Sequence, residues 1–170
     1  MTVLSDSEIL DEIRRGRLRI EGFQDCNLTP NGYDVTIEEV WIPNTRTRTR
    51  SGDALVPGGS WFVIGTREHL ALPSDIVGEI WIRTTWARRG VLSSFGRIDA
   101  AFKGNLTFSA FNASEDYVRI PTGDRFAQVV FERLGAPARK GYGERSGNYQ
   151  GQRGITLAPS KGQKKARSKP

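Results

Sequence analysis

Asn105-Leu106-Thr107-Phe108-Ser109-Ala110-Phe111 has a period of two, the spacing that puts successive side chains on opposite faces of a strand. Runs of the same kind, rich in β-branched and aromatic residues, lie on both sides of it at 33–37, 39–42, 61–66, 77–83, 117–120 and 126–134. Gly, Pro and Asp punctuate them, as in Pro57-Gly58-Gly59, Pro73-Ser74-Asp75 and Thr122-Gly123-Asp124. Many short strands at this spacing predict an all-β sandwich or barrel. The N-terminus departs from the pattern. Ser5 with Glu8 three residues on fits a capping box, Ile9, Leu10 and Ile13 form a helical stripe, Arg14 and Arg15 suit a C-terminal end, and Gly16 stops a short helix. No second long helical pattern follows.

The chain has 170 residues and is 37% apolar, enough for one domain with one core. It contains one histidine, His69, and one cysteine, Cys26. That excludes a zinc site of the usual Cys/His spacing, the zinc nucleobase deaminases that need His-x-Glu with Cys-x-x-Cys, and any disulfide within the chain. A Ser-His-Asp triad would have to use His69, and no serine beside it has a nucleophile-elbow context. Apolar runs reach about four residues, as in Trp61 to Ile64, far short of a span. The N-terminus begins acidic and polar, without the pattern of a secretory signal. The expectation is a soluble cytoplasmic protein without a membrane partner.

The formal charge of +6 comes from the end of the chain: residues 160–170 carry Lys161, Lys164, Lys165, Arg167 and Lys169 and no acid. The first 159 residues are nearly balanced, 20 basic against 19 acidic side chains. The basic end is expected to be a solvated, disordered tail, with weak polyanion contact as the lesser alternative, so the charge does not call for a nucleic-acid partner. Residues 45–50 alternate Thr and Arg and are expected to form a charged β-edge or hairpin rather than a binding stripe. Between 141 and 154 five glycines (141, 143, 147, 151 and 154) mix with Tyr142, Arg145, Tyr149, Gln152 and Arg153. This segment cannot pack as a core strand. It is either a flexible tail or an arm whose backbone N–H groups and arginines close over a phosphate chain.

Four further polar clusters fall at strand ends or turns, where scaffolded sites usually lie. They are Pro30-Asn31-Gly32-Tyr33-Asp34, the run from Arg83-Thr84-Thr85-Trp86 to Arg88-Arg89-Gly90, the run from Gly96-Arg97-Ile98-Asp99 to Lys103-Gly104-Asn105, and Gly123-Asp124-Arg125-Phe126-Ala127-Gln128. Alone, each has a bland explanation: Asp34 could cap a turn, Asp99 could be a turn residue, and the Arg/Thr cluster could be a solvated helix start. In this order, and with the Gly-rich segment as a fifth, they resemble the five motifs of the dUTPase and dCTP deaminase superfamily from Leu4-Ser5-Asp6 to Gly154. The resemblance is closest to the archaeal dUTPases within the dCTP deaminase family. One motif departs from the usual pattern, with Thr84-Thr85-Trp86 where Ser-Ser-Leu is common; threonine keeps the hydroxyl donor.

The resemblance implies a distorted jelly-roll β-barrel or sandwich with a short N-terminal helix and a flexible C-terminal arm, assembled as a homotrimer with active sites at subunit interfaces. It also implies roles. Asp99 would activate water, and Asp34 would hold a nucleotide-bound Mg2+ through its water shell. Arg83, Thr84, Thr85 and Arg88 would bind phosphates. Phe102 would pack on the deoxyribose, and Gln128, Tyr142, Tyr149 and Gln152 would complete the triphosphate contacts. The boundaries that follow are a β domain at 1–140, a mobile arm at 141–158 and a basic tail at 159–170.

The choice of reaction falls on one position. Deaminases of this family carry a glutamate ten residues after the motif-three aspartate; counted from Asp99 that position is Ser109. Replacing an amino group by water needs a group that exchanges protons near neutral pH, and a serine hydroxyl with no adjacent base cannot do so. Hydrolysis of dUTP to dUMP and pyrophosphate keeps its base in Asp99, so dUTP is the expected substrate. A deaminase, a bifunctional enzyme and a non-catalytic nucleotide-binding protein are the alternatives. The uracil edge would be read by the strand at 105–110, through Asn105, Thr107 and Ser109 and the backbone between them.

Overall fold

The computed structural model describes residues 2–159; the tail expected at 159–170 therefore lies outside the described residues except for its first position. The chain opens with β1 (Thr2–Val3) and α1 (Asp6–Arg14). Ser5 Oγ accepts the Glu8 N–H and Glu8 Oε2 accepts the Ser5 N–H, the predicted capping box, and Gly16 leaves the helix at φ 68°. The strands that follow are β2 (Arg19–Glu21), β3 (Leu28–Thr29), β4 (Gly32–Ile42), β5 (Thr47–Thr49), β6 (Asp53–Val56), β7 (Trp61–Ala71) and β8 (Ile76–Ile82). A four-residue helix, α2 (Thr84–Ala87), leads to β9 (Val91–Ser93), β10 (Lys103–Asn112), β11 (Val118–Pro121) and β12 (Arg125–Arg133), and the described chain ends beyond a helical turn, α3 (Tyr142–Arg145). Among the described residues no helix is long and apolar enough to cross a membrane.

The pairing is antiparallel throughout the named strands, in the order β1-β12-β4-β7-β10-β9, with β2 on β7, β3 and β5 on β4, β8 on β12, and a separate β11-β6 ribbon. The result is the expected all-β, distorted jelly-roll fold. β4 makes the corner. Its first half pairs with β12, Asp34 opposite Gln128, and its second half with β7, Val40 opposite Ile64. The sequence shows this strand as two runs, 33–37 and 39–42; the structure merges them, with irregular register between Ile37 and Glu39 marking the bend. At the bend the buried carboxylate of Glu68 accepts the Thr36 N–H at 2.8 Å, and burial pushes its carboxyl above the usual range despite that bond.

Alternation places Tyr33, Val35, Ile37, Val40 and Ile42 of β4, Phe62 and Ile64 of β7, Phe108 of β10 and Phe126, Val129 and Phe131 of β12 in one core. Phe126 lies at its centre, within 6.0–6.4 Å of the rings of Phe62, Trp86, Phe95 and Phe108. Each such buried ring contributes roughly 1.5–3 kcal/mol through burial. Trp86, where leucine is usual in the resembling motif, fills this core and donates its indole N–H to the Arg125 carbonyl at 2.9 Å, so the larger ring leaves no polar group unpaired. The Thr/Arg segment at 45–50 is an edge hairpin on β4, as expected, and its Arg50 and Arg48 turn to Glu39 at 3.1 and 3.8 Å.

Candidate active site

Two groups of the sequence-selected residues come together, each on its own part of the surface. The first surrounds a cavity of about 510 Å³ between β10 and the segment that follows β12. Phe95, Ile98, Leu106 and Phe108 give it apolar walls, and Asp99, Phe102, Thr107, Ser109, Tyr142, Tyr149 and Gln152 all line it. Among the described residues that line the cavity, Asp99, exposed at the rim, is the one carboxylate and Arg97 the one cation, the latter held by Glu79 and Glu132. Phe102 is 6% exposed, with its ring 5.5 Å from that of Tyr142 in an edge contact. Burial pushes the Tyr142 phenol up, an effect reduced by the Tyr149 N–H it accepts at 3.1 Å and reinforced by the negative charge of Asp99. Tyr142 therefore serves as a neutral hydrogen-bonding wall.

Residues 141–157 close this cavity in cis. Gly151 N–H donates to the Lys103 carbonyl at 2.7 Å, Asn105 N–H to the Gln152 carbonyl at 3.1 Å, and Gly104 and Gln152 form a parallel bridge. Further along, Thr156 N–H donates to Thr107 Oγ1 at 3.1 Å and Ile155 N–H to Glu39 Oε1 at 2.9 Å. Burial opposes the charge on Glu39, which is 5% exposed, yet the Ile155 N–H and the Arg50 and Arg48 guanidiniums outweigh it and hold the carboxyl below the usual glutamate range. The segment packs as no core strand, in agreement with its composition. It borrows the edge of β10 instead.

Two expected substrate contacts are occupied by structure. Asn105 Nδ2 donates to the carbonyls of Thr66, Arg67 and Glu68 at 3.0–3.2 Å, and its backbone N–H and carbonyl both meet Gln152, so Asn105 anchors β10. Gln152 Nε2 donates to the Asn105 carbonyl, while its Oε1 is buried without a hydrogen-bond partner among the described residues. The β10 edge that remains lies between Asn105 and Ala110, where β9 takes over the pairing opposite Ser93. Ser109 sits in this gap, exposed, its carbonyl accepting the Ser93 hydroxyl at 2.8 Å.

The second group lies around Asp34 and does not line the cavity. Arg83 Nε stands 3.0 Å and Arg125 Nη1 3.4 Å from Asp34 Oδ2, with the carboxylate side chain 5% exposed. Burial pushes the Asp34 carboxyl above its usual range, and the two guanidiniums offset this only in part. Gln128 lies opposite Asp34 in the register and donates to Thr29 Oγ1 at 2.8 Å. Thr84, Thr85 and Arg88 are exposed on and just after α2. Among the described residues no three His, Cys, Asp or Glu side chains cluster as a metal centre. Two cations already face Asp34, so a metal ion bonded directly to that carboxylate would meet unfavourable charge; contact through water is the arrangement these residues fit. Glu39 and Arg125 carry no motif signal of their own, although an acid inside an otherwise apolar strand run and an arginine inside the fourth cluster were visible.

A dCTP deaminase-like family model matches residues 41–134. The chain is 39% identical over 146 residues to a dCTP deaminase of Pyrococcus abyssi, covering 85% of this chain and 93% of that one. It is 31% identical over 158 residues to a probable deoxyuridine 5'-triphosphate nucleotidohydrolase of Sulfolobus islandicus rod-shaped virus 1, covering 92% and 98%. Among solved structures, the 2'-deoxycytidine 5'-triphosphate deaminase of Agrobacterium tumefaciens superposes with a TM-score of 0.66 at 19% identity, over 78% of this chain and 48% of that one.

Proposed function

This chain belongs to the dCTP deaminase-like family, and from that premise we propose that it is a dUTP diphosphatase, converting dUTP to dUMP and pyrophosphate in the cytoplasmic nucleotide pool. One observation carries the choice: among the described residues Asp99 is the one carboxylate lining the cavity, and the strand beside it offers Ser109 where a deaminase needs an acid.

In this reading Asp99 holds a water in line with the α-phosphorus and takes its proton as the new P–O bond forms and the bond to the bridging oxygen breaks. Pyrophosphate leaves with that oxygen. Phe102 packs against the deoxyribose. The open edge of β10 between 106 and 109 pairs with the O4, N3–H and O2 edge of uracil, and the unpartnered Gln152 Oε1 accepts from a donor on the nucleotide. Cytosine reverses donor and acceptor at two of those positions and would leave buried groups unpaired.

Arg83, Thr84, Thr85, Arg88 and Gln128 bind the phosphates, with Asp34 orienting Arg83. Their separation from the cavity within one chain supports a homotrimer in which a second copy supplies them. Asp34 would hold a triphosphate-bound Mg2+ through its water shell, and the ion would supply charge neutralisation of the phosphates. Residues 1–140 then form the catalytic domain and 141–158 the arm that closes it.

The names of the cellular relatives favour a second reading, deamination of dCTP. Incubation with dUTP, dCTP and dTTP plus Mg2+, with pyrophosphate and ammonia measured separately, decides between them. Pyrophosphate from dUTP alone is expected. Ammonia from dCTP would overturn the hydrolase assignment.

A further inference from the structure

Asp99 opens a tight turn in which the Phe102 N–H donates back to the Asp99 carbonyl at 3.1 Å. Its third residue, Ala101, has φ 63°, the left-handed region where a Cβ is unfavourable and glycine is the ordinary occupant. Bonds from outside must hold such a turn. On one side the connection between β7 and β8 supplies them: Ala101 N–H donates to the Pro73 carbonyl and Leu72 N–H to the Phe102 carbonyl, both at 3.0 Å.

On the other side they come from the arm. Tyr142 N–H donates to the Ala100 carbonyl at 3.0 Å. The Gln150 side-chain amide then spans the turn, Nε2 donating to the Ala101 carbonyl at 3.1 Å and Oε1 accepting the Lys103 N–H at 3.0 Å. One side chain thus satisfies a carbonyl and an N–H two residues apart, as a neighbouring strand would. The fit also constrains Gly141, where a Cβ would lie 2.6 Å from the Ala101 methyl.

We propose that Gln150 is a positioning residue, whose two bonds fix the strained 99–102 turn and so set where the Asp99 carboxylate stands at the cavity rim. Gln150 does not line the cavity and acts through the turn. The inference rests on the reading of Asp99 as the base in dUTP hydrolysis. A displaced base slows the chemical step and leaves nucleotide binding nearly unchanged.

The test uses the full chain with Mg2+ and dUTP. Gln150→Leu removes both bonds at similar volume, and Gln150→Glu keeps the acceptor for Lys103 while losing the donor to Ala101. Gln150→Leu is expected to lose roughly 10- to 100-fold in kcat with KM within about threefold of wild type, and Gln150→Glu to lose less. In an Ala101→Gly background the turn no longer stands against a conformational cost, so the same change is expected to cost under about threefold, a coupling that an unrelated surface role would not give. Amide hydrogen exchange on the nucleotide-free protein reads the clamp without activity: the Lys103 N–H should exchange faster in Gln150→Leu. An unchanged kcat, a loss confined to KM, equal losses in the two backgrounds or unchanged Lys103 exchange would each overturn the proposal. A wild type that releases no pyrophosphate from dUTP overturns the hydrolase reading instead, and Lys103 exchange still decides whether Gln150 holds the turn.

Discussion

β4 touches two regions that hold charged groups at a surface by opposite means. Its first half carries Asp34, fixed by side chains: Arg125 of β12 and Arg83, which precedes α2, converge on one carboxylate, and sheet register puts Gln128 opposite it. Its second half carries Glu39, which reaches the arm, and the arm in turn holds the Asp99 turn through the Tyr142 N–H and the Gln150 side-chain amide. The first region keeps one cation in excess, two guanidiniums against one carboxylate. The second depends on a segment distant in sequence, so it can be loosened without unfolding the sheet. In the proposed function, binding of phosphates falls to the first region and chemistry to the second.

The largest effect should come from the turn itself. Asp99→Asn is expected to lower kcat for dUTP roughly 10³-fold while a non-hydrolysable dUTP analogue still binds, because only the proton acceptor is lost. Substantial turnover in that variant would remove Asp99 from the role of base. Next is truncation after Lys140. It takes Tyr142, Tyr149 and Gln152 from the cavity and the outer bonds from the turn, so catalysis should fall roughly 100-fold or more while circular dichroism reports an intact β-fold. A protein that only binds nucleotide would lose little.

The charged pair separates the regions by pH. Asp34 has a raised carboxyl pKa in the folded state, so its contribution to stability is fullest below the usual aspartate range and is lost as pH rises through the raised value. Glu39 has a lowered one, so its contribution is present above the usual glutamate range and is lost as pH falls through the lowered value. Asp34→Asn is expected to raise KM for dUTP about tenfold, ~1.4 kcal/mol, by releasing Arg83, and to abolish the first trend in urea melts between pH 3 and pH 6, a range taken as roughly that of carboxylate titration. Glu39→Gln should raise KM only about threefold, since a neutral acceptor still meets the Ile155 N–H, and should abolish the second trend. Equal pH profiles in the two variants would erase the distinction between the regions.

What could be read in the sequence follows the same division. Strands at 61–66 and 77–83 were legible as β-branched and aromatic runs, the strand at 105–111 also because burial alternates along it, and α1 because Ser5 and Glu8 sit at capping distance. The cavity residues Asp99, Phe102, Tyr142 and Tyr149 were marked by motif. Glu39 and Gln150 were not, since they act on Ile155, Ala101 and Lys103 across 116, 49 and 47 positions of sequence, and a backbone acceptor carries no residue signature. The roles expected of Asn105 and Gln152 failed to foresee that their amides bond to the chain, because a bulge in β10 at Asn105 and Thr107 leaves backbone groups to satisfy that no pattern announces.

The smallest expected effect is at Ser109, and it bears most directly on the reaction. The residue is exposed in the β10 gap, and the bond recorded there, from the Ser93 hydroxyl to the Ser109 carbonyl, survives loss of the side chain. If the base is read by the strand edge, Ser109→Ala removes neither donor nor acceptor from that edge, and kcat/KM for dUTP should stay within about threefold of wild type, under ~0.7 kcal/mol. If Ser109 instead handled a proton, as the glutamate of a deaminase would, the same change would cost orders of magnitude. A loss above roughly 100-fold would therefore mean that chemistry lies on the sheet as well as on the turn, and the separation of a binding region from a reacting one would fail.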